Sequence, residues 1–216
     1  MANNHLKKYL FYFLILVYVS GAIGFILNPD FFSPFTPFTL SLTCIVFLIH
    51  QPITNANYIL TFCLVVLIGF IVEVAGVKTG LVFGEYYYGD ALGYSFLGVP
   101  LIISVNWGLL INAGNIISNN FSDNVIIKSV WAAVIITSVD FLMEQVVASL
   151  NFWHFKNNLA GIHNYIGWFT VSFLISLLFQ KNLTFGNKKI AISIISLQVY
   201  FFGLIYLMKV FNFVLI

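Results

Sequence analysis

Residues 58–77 read YILTFCLVVLIGFIVEVAGV, twenty positions with one charged side chain, Glu73. An α-helix needs about 20 residues, at a rise of ~1.5 Å each, to cross the hydrocarbon core of a bilayer. Six further apolar runs fit the same purpose: 9–27, 36–50, 98–117, 125–150, 162–180 and 190–214, of which 36–50 is short and carries Pro37 at its start. Polar segments part them, among them Asn28-Pro29-Asp30, the loop 78–97, the segment 151–161 and the stretch from Lys181 to Lys189. The whole composition agrees with that reading. Hydrophobic residues make up 61% and charged residues 7%, against roughly 25% charged in soluble domains. The mean hydropathy is +1.00. The expected fold class is all-α: a polytopic integral membrane helical bundle of about seven transmembrane helices. Residues 1–216 form one transmembrane domain in this reading, with no internal repeat and no soluble domain. Lys7 and Lys8 precede the first run as in a signal peptide, but the run continues to Leu27, which favours a retained helix.

The cations are nine lysines, with no arginine in the sequence, against seven acids. Without guanidinium forks the chain is not expected to bind nucleic acid, hold phosphate-rich substrates or sense voltage. If the N-terminus is cytoplasmic, that side holds Lys7, Lys8, Lys128, Lys181, Lys188 and Lys189, and the other side holds Lys78, Lys156 and Lys209. The bias predicts a cytoplasmic N-terminus and an external C-terminus. Cys44 and Cys63 sit in apolar runs without ligand spacing and read as packing thiols.

An ionisable side chain at mid-membrane costs at least ~2.5 kcal/mol, so each one is a site hypothesis. The third run carries Glu73, with Gly69, Gly76 and Gly80 at helical offsets. The fifth carries Asp140 and Glu144, four apart and on one face, which continues through Ala133, Thr137 and Ala148. The fourth shows Ser104, Gly108, Asn112 and Asn115 on one side, and the sixth shows Asn164, Trp168 and Ser172. The third and fifth helices run outward in this topology, so all three acids lie under the loops 78–97 and 151–161. A helix to Leu150 would bury Asp140 about 15 Å and Glu144 about 9 Å below its end. Two carboxyl groups one turn apart in low dielectric do not both ionise readily, which sets a buried acid beside a buried base.

The loop after the third run is rich in glycine and aromatics, Gly80-Leu-Val-Phe-Gly84-Glu-Tyr86-Tyr87-Tyr88-Gly89, and suits a lid at the headgroup level. Its tyrosines, like Trp153 and Trp168, fit either an interfacial aromatic belt or a pocket. Trp107 lies about ten residues inside the fourth run, too deep for a belt, and is expected to wall a pocket. His154 and His163 flank the second outer loop, but no HxxxH or ExxH motif supports a metal. Lys209 reads as a snorkelling lysine rather than a Schiff-base lysine.

These residues resemble the carotenoid biosynthesis membrane proteins, the family of bisanhydrobacterioruberin hydratases and γ-carotene 1′,2′-hydratases. One block is Glu73-x-x-Gly76-x-x-Thr79-Gly80-x-x-Phe83-Gly84-x-Tyr86-x-Tyr88, followed by Leu92-Gly93, Gly98-Val99-Pro100 and Trp107. A second is Asp140-x-x-x-Glu144, then Trp153, Gly161-Ile162, Asn164 and Gly167-Trp168-Phe169. The resemblance implies a cofactor-independent enzyme, a hydro-lyase that adds water across the terminal C1=C2 bond of an acyclic carotenoid end group. It implies a lycopene- or γ-carotene-like substrate in the lipid bilayer of a bacterial or archaeal-type cell membrane, other carotenoid enzymes as partners, and no metal. On that reading Asp140 gives a proton to C2, Glu144 orients or deprotonates water, and Glu73 completes the acidic cluster. Asn164 and Tyr86 hold the water, and Trp107, Tyr88, Trp153 and Trp168 line the path of the tertiary carbocation, which aromatic faces stabilise. The three acids can exchange these roles. Two other readings share the same residues. A carotenoid cyclase captures the cation with an internal double bond, and a non-catalytic lipid or pigment carrier uses the acids for packing or gating.

Overall fold

A computed structural model describes residues 4–53 and 55–211. Helix α1 spans Asn4–Leu27, and the short α2 (Pro29–Phe32) leads through a 3₁₀ turn (Ser33–Phe35) into α3 (Thr36–Ile49). Then follow α4 (Ala56–Thr79), α5 (Leu101–Ser118), α6 (Val125–Met143), α7 (Ile162–Leu183) and α8 (Lys188–Val210). Seven spans, counting Pro29–Ile49 as one, are long and apolar enough to cross a membrane. The chain is thus a helical bundle of integral-membrane type. The expected last run, 190–214, is helical as far as Val210, and 212–214 lie outside the described residues.

Asparagines set several helix starts. Asn55 accepts from the backbone N–H groups of Asn57 and Tyr58, Asn124 from those of Ile126 and Ile127, and Asn187 from that of Ile190. Gly80, left-handed at φ 67°, ends α4 with its N–H bonded to the Gly76 carbonyl. Helix α5 is the axis of the bundle and packs against α3, α4, α6, α7 and α8. The tightest pair is α6 with α7, and α1 closes the assembly against α3 and α8.

Two boundaries differ from expectation. The fourth run begins at Leu101, not at 98, because 97–100 belong to a hairpin: β2 (Ser95–Phe96) pairs with β3 (Val99–Pro100) around Leu97 and Gly98, both at positive φ. The fifth run, expected to continue to 150, stops at Met143. Beyond it the chain turns tightly, with the N–H of Gln145 bonded to the carbonyl of Leu142 and that of Val146 to Met143. Those turns bring Phe152 and Trp153 back over the bundle. Asp140 is therefore in the last turn of its helix, about 4.5 Å from the end rather than deep within it.

The loops 78–97 and 151–161 are joined. Strand β1 (Tyr86–Tyr88) from one pairs antiparallel with β4 (Trp153–Phe155) from the other, Tyr88 opposite Trp153 and Tyr86 opposite Phe155. Neither a helical nor an apolar period announces so short a ladder. It is set by tertiary contacts, and the exposed ion pair of Glu85 and Lys156 borders it.

Candidate active site

Glu73 is buried on α4, and the glycines one turn to either side explain how a carboxyl group is served there. A Cβ on Gly69 would stand 2.7 Å from the Trp107 side chain, and one on Gly76 would stand 2.9 Å from both Phe83 and the Tyr86 hydroxyl. With hydrogen at those positions, three aromatic donors reach the acid. Trp107 Nε1 donates to Oε1 at 2.8 Å, Tyr88 to Oε2 at 2.7 Å, and Tyr86 to the same Oε2. The strand alternation of β1 makes this possible. Tyr86 and Tyr88 point inward, while Tyr87 faces out and stacks on His154. Burial first, and then the charge of Glu73, pushes both inward phenols well above their ordinary value, so they remain donors.

The second group hangs on Asn164 in the first turn of α7. Its Nδ2 donates to Asp140 Oδ2 at 2.9 Å and to Glu144 Oε1 at 3.4 Å, bridging the two carboxyl groups. Trp153 Nε1 donates to the same Glu144 oxygen at 3.0 Å. Asp140 Oδ1 is buried with no hydrogen-bond partner among the described residues. Between the two groups stands an aromatic wall, with Trp107 and Trp168 parallel at 4.1 Å and Phe83 tilted against both.

Glu73, Glu144, Asn164, Tyr86, Tyr88, Trp153 and Trp168 all line one small chamber, together with Phe83, Ile103, Asn106, Met143 and Phe155. Its volume is ≈ 20 Å³, about the space one water needs. Asp140 and Trp107 are not in that lining. They stand behind it, Asp140 through Asn164 and Trp107 through Glu73. All nine residues singled out in the sequence thus gather around one place, eight in two hydrogen-bonded groups and Trp168 stacked on Trp107.

A second cavity of ≈ 270 Å³ adjoins the chamber and shares Ile103, Asn106, Met143 and Trp153 with it. It runs between α1, α3, α5 and α8 and is walled largely by phenylalanine, including Phe25, Phe32, Phe38 and Phe201. No lysine or histidine is among the described residues that line either space. Asn106 and Gln198 are the amides in its lining, joined at 2.9 Å from Gln198 Nε2 to Asn106 Oδ1. Neither was singled out in the sequence. The available signal was that each is an amide within a membrane-spanning run.

Comparison with protein families matches residues 35–216, a span that contains every residue of both groups, to the carotenoid biosynthesis proteins. Comparisons with curated proteins and with solved structures give no match. The family match, over most of the sequence, means that the chain belongs to the carotenoid biosynthesis protein family and works in carotenoid metabolism.

Proposed function

We propose that the protein is a carotenoid hydratase, adding water across the terminal C1=C2 bond of an acyclic end group such as that of lycopene or γ-carotene. The observation that carries this reading is the pairing of spaces: a chamber of one water's volume between carboxyl groups, beside an apolar cavity. The cavity takes the polyene end, and the shared wall at Met143, Trp153 and Asn106 is where its terminal double bond meets the chamber.

The distribution of donors supports one assignment of the acids. Glu73 alone receives three hydrogen bonds, which favour its anion, whereas Asp140 and Glu144 together have two donors, the Asn164 amide that they share and the Trp153 indole on Glu144. The pair holds the proton, and Glu144 presents it because Glu144 lines the chamber while Asp140 stands behind. Transfer of that proton to C2 breaks the π bond and leaves a tertiary cation at C1. The fixed charge of Glu73 and the faces of Trp168 and Tyr88 stabilise that cation, each ring by up to about 2 kcal/mol when desolvated. Water adds to C1 and loses a proton to the carboxylate of the Asp140–Glu144 pair, which restores the starting state. A cyclase needs the same first step but no room for water, and the chamber favours hydration.

The lysine bias supports an N-terminus in the cytoplasm, with the chamber in the outer half of the membrane under the β1–β4 ladder. The direct test is expression in a lycopene-producing host, with chromatography and mass analysis of the pigments. Hydration adds the mass of one water, whereas cyclisation adds nothing. Glu144→Gln is expected to lower product by 10²-fold or more, the ordinary worth (~10²–10⁴) of a positioned acid. An unchanged pigment mass with wild-type protein in the membrane overturns the reading, as does full activity in Glu144→Gln.

A further inference from the structure

Seven of the eleven buried side-chain atoms without a hydrogen-bond partner among the described residues lie on α5, α6 and α7. These helices pack mutually, and six of the atoms, all but Ser104 Oγ near the start of α5, fall at successive depths along them. Asp140 Oδ1 lies about 4.5 Å below the end of the helix that carries it, by its distance along the axis from Met143, and Thr137 Oγ1 about 9 Å. Counted from Leu101 and Ile162, Asn112 and Ser172 lie about 15–16 Å down and Asn115 about 21 Å. Gln180 follows at about 27 Å. Cross-links fix the lower part of the series. Asn115 Nδ2 donates to Ser176 Oγ at 2.9 Å, and Ser129 on α6 bonds to Gln180 Oε1.

The hydroxyls show that this is not the habit of the whole bundle. Thr39, Thr43, Thr79, Ser129 and Ser138 each bond to the carbonyl four residues back. Thr137 and Ser172 have the same carbonyl on offer and turn away from it. The successive depths of the six orphan atoms differ by about 4.5–6 Å, the span of two hydrogen bonds through one bridging oxygen.

We propose that the seam between α5, α6 and α7 holds a file of water from Gln180 to Asp140, which supplies the acid pair from the end of the bundle opposite the β1–β4 ladder. This rests on the hydratase reading only for what the water is used for. A hydratase buried in lipid needs a route for its polar substrate, and the chamber's other walls are aromatic and apolar apart from the acids, Asn106 and Asn164.

The test reads the water without turnover. In X-ray footprinting of the full chain in lipid nanodiscs, trapped water yields hydroxyl radicals, and mass spectrometry finds the side chains they oxidise. Ile111, Ile136 and Ile175, buried beside the series, are expected to be labelled, whereas the equally buried Val46 and Ile194, in other parts of the core, are not. Ser172→Val is expected to cut that labelling and carotenoid hydration several-fold with pigment binding kept, and Ser172→Thr, which keeps the hydroxyl, to restore both. Ser172→Ala serves if the valine variant does not fold. No labelling of the three isoleucines in wild-type protein overturns the file. Labelling lost with hydration unchanged overturns its role in supply. Labelling present in a protein that hydrates no carotenoid leaves the file standing and overturns the hydratase reading instead.

Discussion

Glu73 shows how much of a buried carboxylate's behaviour is decided by its donors. Each of Tyr86, Tyr88 and Trp107 gives it one hydrogen bond, and a bond to a charged group is worth about 1.5–3 kcal/mol net. Tyr88→Phe is expected to remove one of these with little change of shape and slow hydration by about 10- to 100-fold, a ratio that follows from that energy. Steady-state pigment conversion in vesicles measures it. A loss equal to that of Tyr87→Phe, whose ring lies outside the chamber, would separate Glu73 from the chemistry. The same tyrosines fix the response to alkali. Their folded values are raised by burial and by Glu73, above an unfolded value of 10.0. Their contribution to stability is therefore full below pH 10.0 and is lost as the pH rises beyond it, because the unfolded chain ionises first. Ultraviolet titration of tyrosinate is expected to show these two phenols ionising only with unfolding. In the sequence, Tyr86 and Tyr88 were visible as candidates but not as Glu73's partners, since three adjacent tyrosines read equally well as an interfacial belt. The alternation that sends Tyr87 outward exists only once β1 has found β4.

Elements carry the acids into place, and their geometry depends on what is missing from two faces. Gly69 and Gly76 flank Glu73 so closely to Trp107, Phe83 and Tyr86 that a methyl group has no room. Gly69→Val forces Trp107 off its stack with Trp168 and away from Glu73, with an overpacking cost of about 1–3 kcal/mol. A lower midpoint of thermal unfolding and reduced hydration are expected together, whereas Gly21→Val, facing open space apart from Phe201 at 4.0 Å, is expected to change the midpoint far less. Helix existence was legible throughout, because runs of some twenty apolar residues have no other stable form in a bilayer. Helix ends were not. The stop at Met143 has neither glycine nor proline to announce it. It follows from the pull of Trp153 on Glu144 and of β4 on β1, the second a contact between segments distant in sequence. For the same reason Asp140 and Glu144 were correctly placed one turn apart, while their depth below the helix end was not.

At the scale of the molecule, the two ends of the bundle differ in kind. One bears the β1–β4 ladder, the β2–β3 hairpin and the roof of the chamber, and the other bears the asparagine-capped starts of α4, α6 and α8. Lys128, Lys181, Lys188 and Lys189 all fall at the capped end, together with Lys7 and Lys8 near the start of α1. Lysines close to span ends hold their side of the membrane in the cytoplasm, because anionic headgroups and the insertion machinery both resist their transfer. In the orientation proposed above, the acids lie under the outer loops and Gln180 near the cytoplasm. In the same proposal the apolar cavity between α1, α3, α5 and α8 takes the carotenoid end from the bilayer. Single cysteines test this in intact cells, in a background of Cys44→Ala and Cys63→Ala. Tyr94→Cys, at the exposed rim of the hairpin, is expected to react with a membrane-impermeant maleimide added outside, and Asn120→Cys, in the turn between α5 and α6, only after the cells are opened. The reverse pattern would turn the bundle over, put the chamber on the cytoplasmic side, and require the water to arrive from outside.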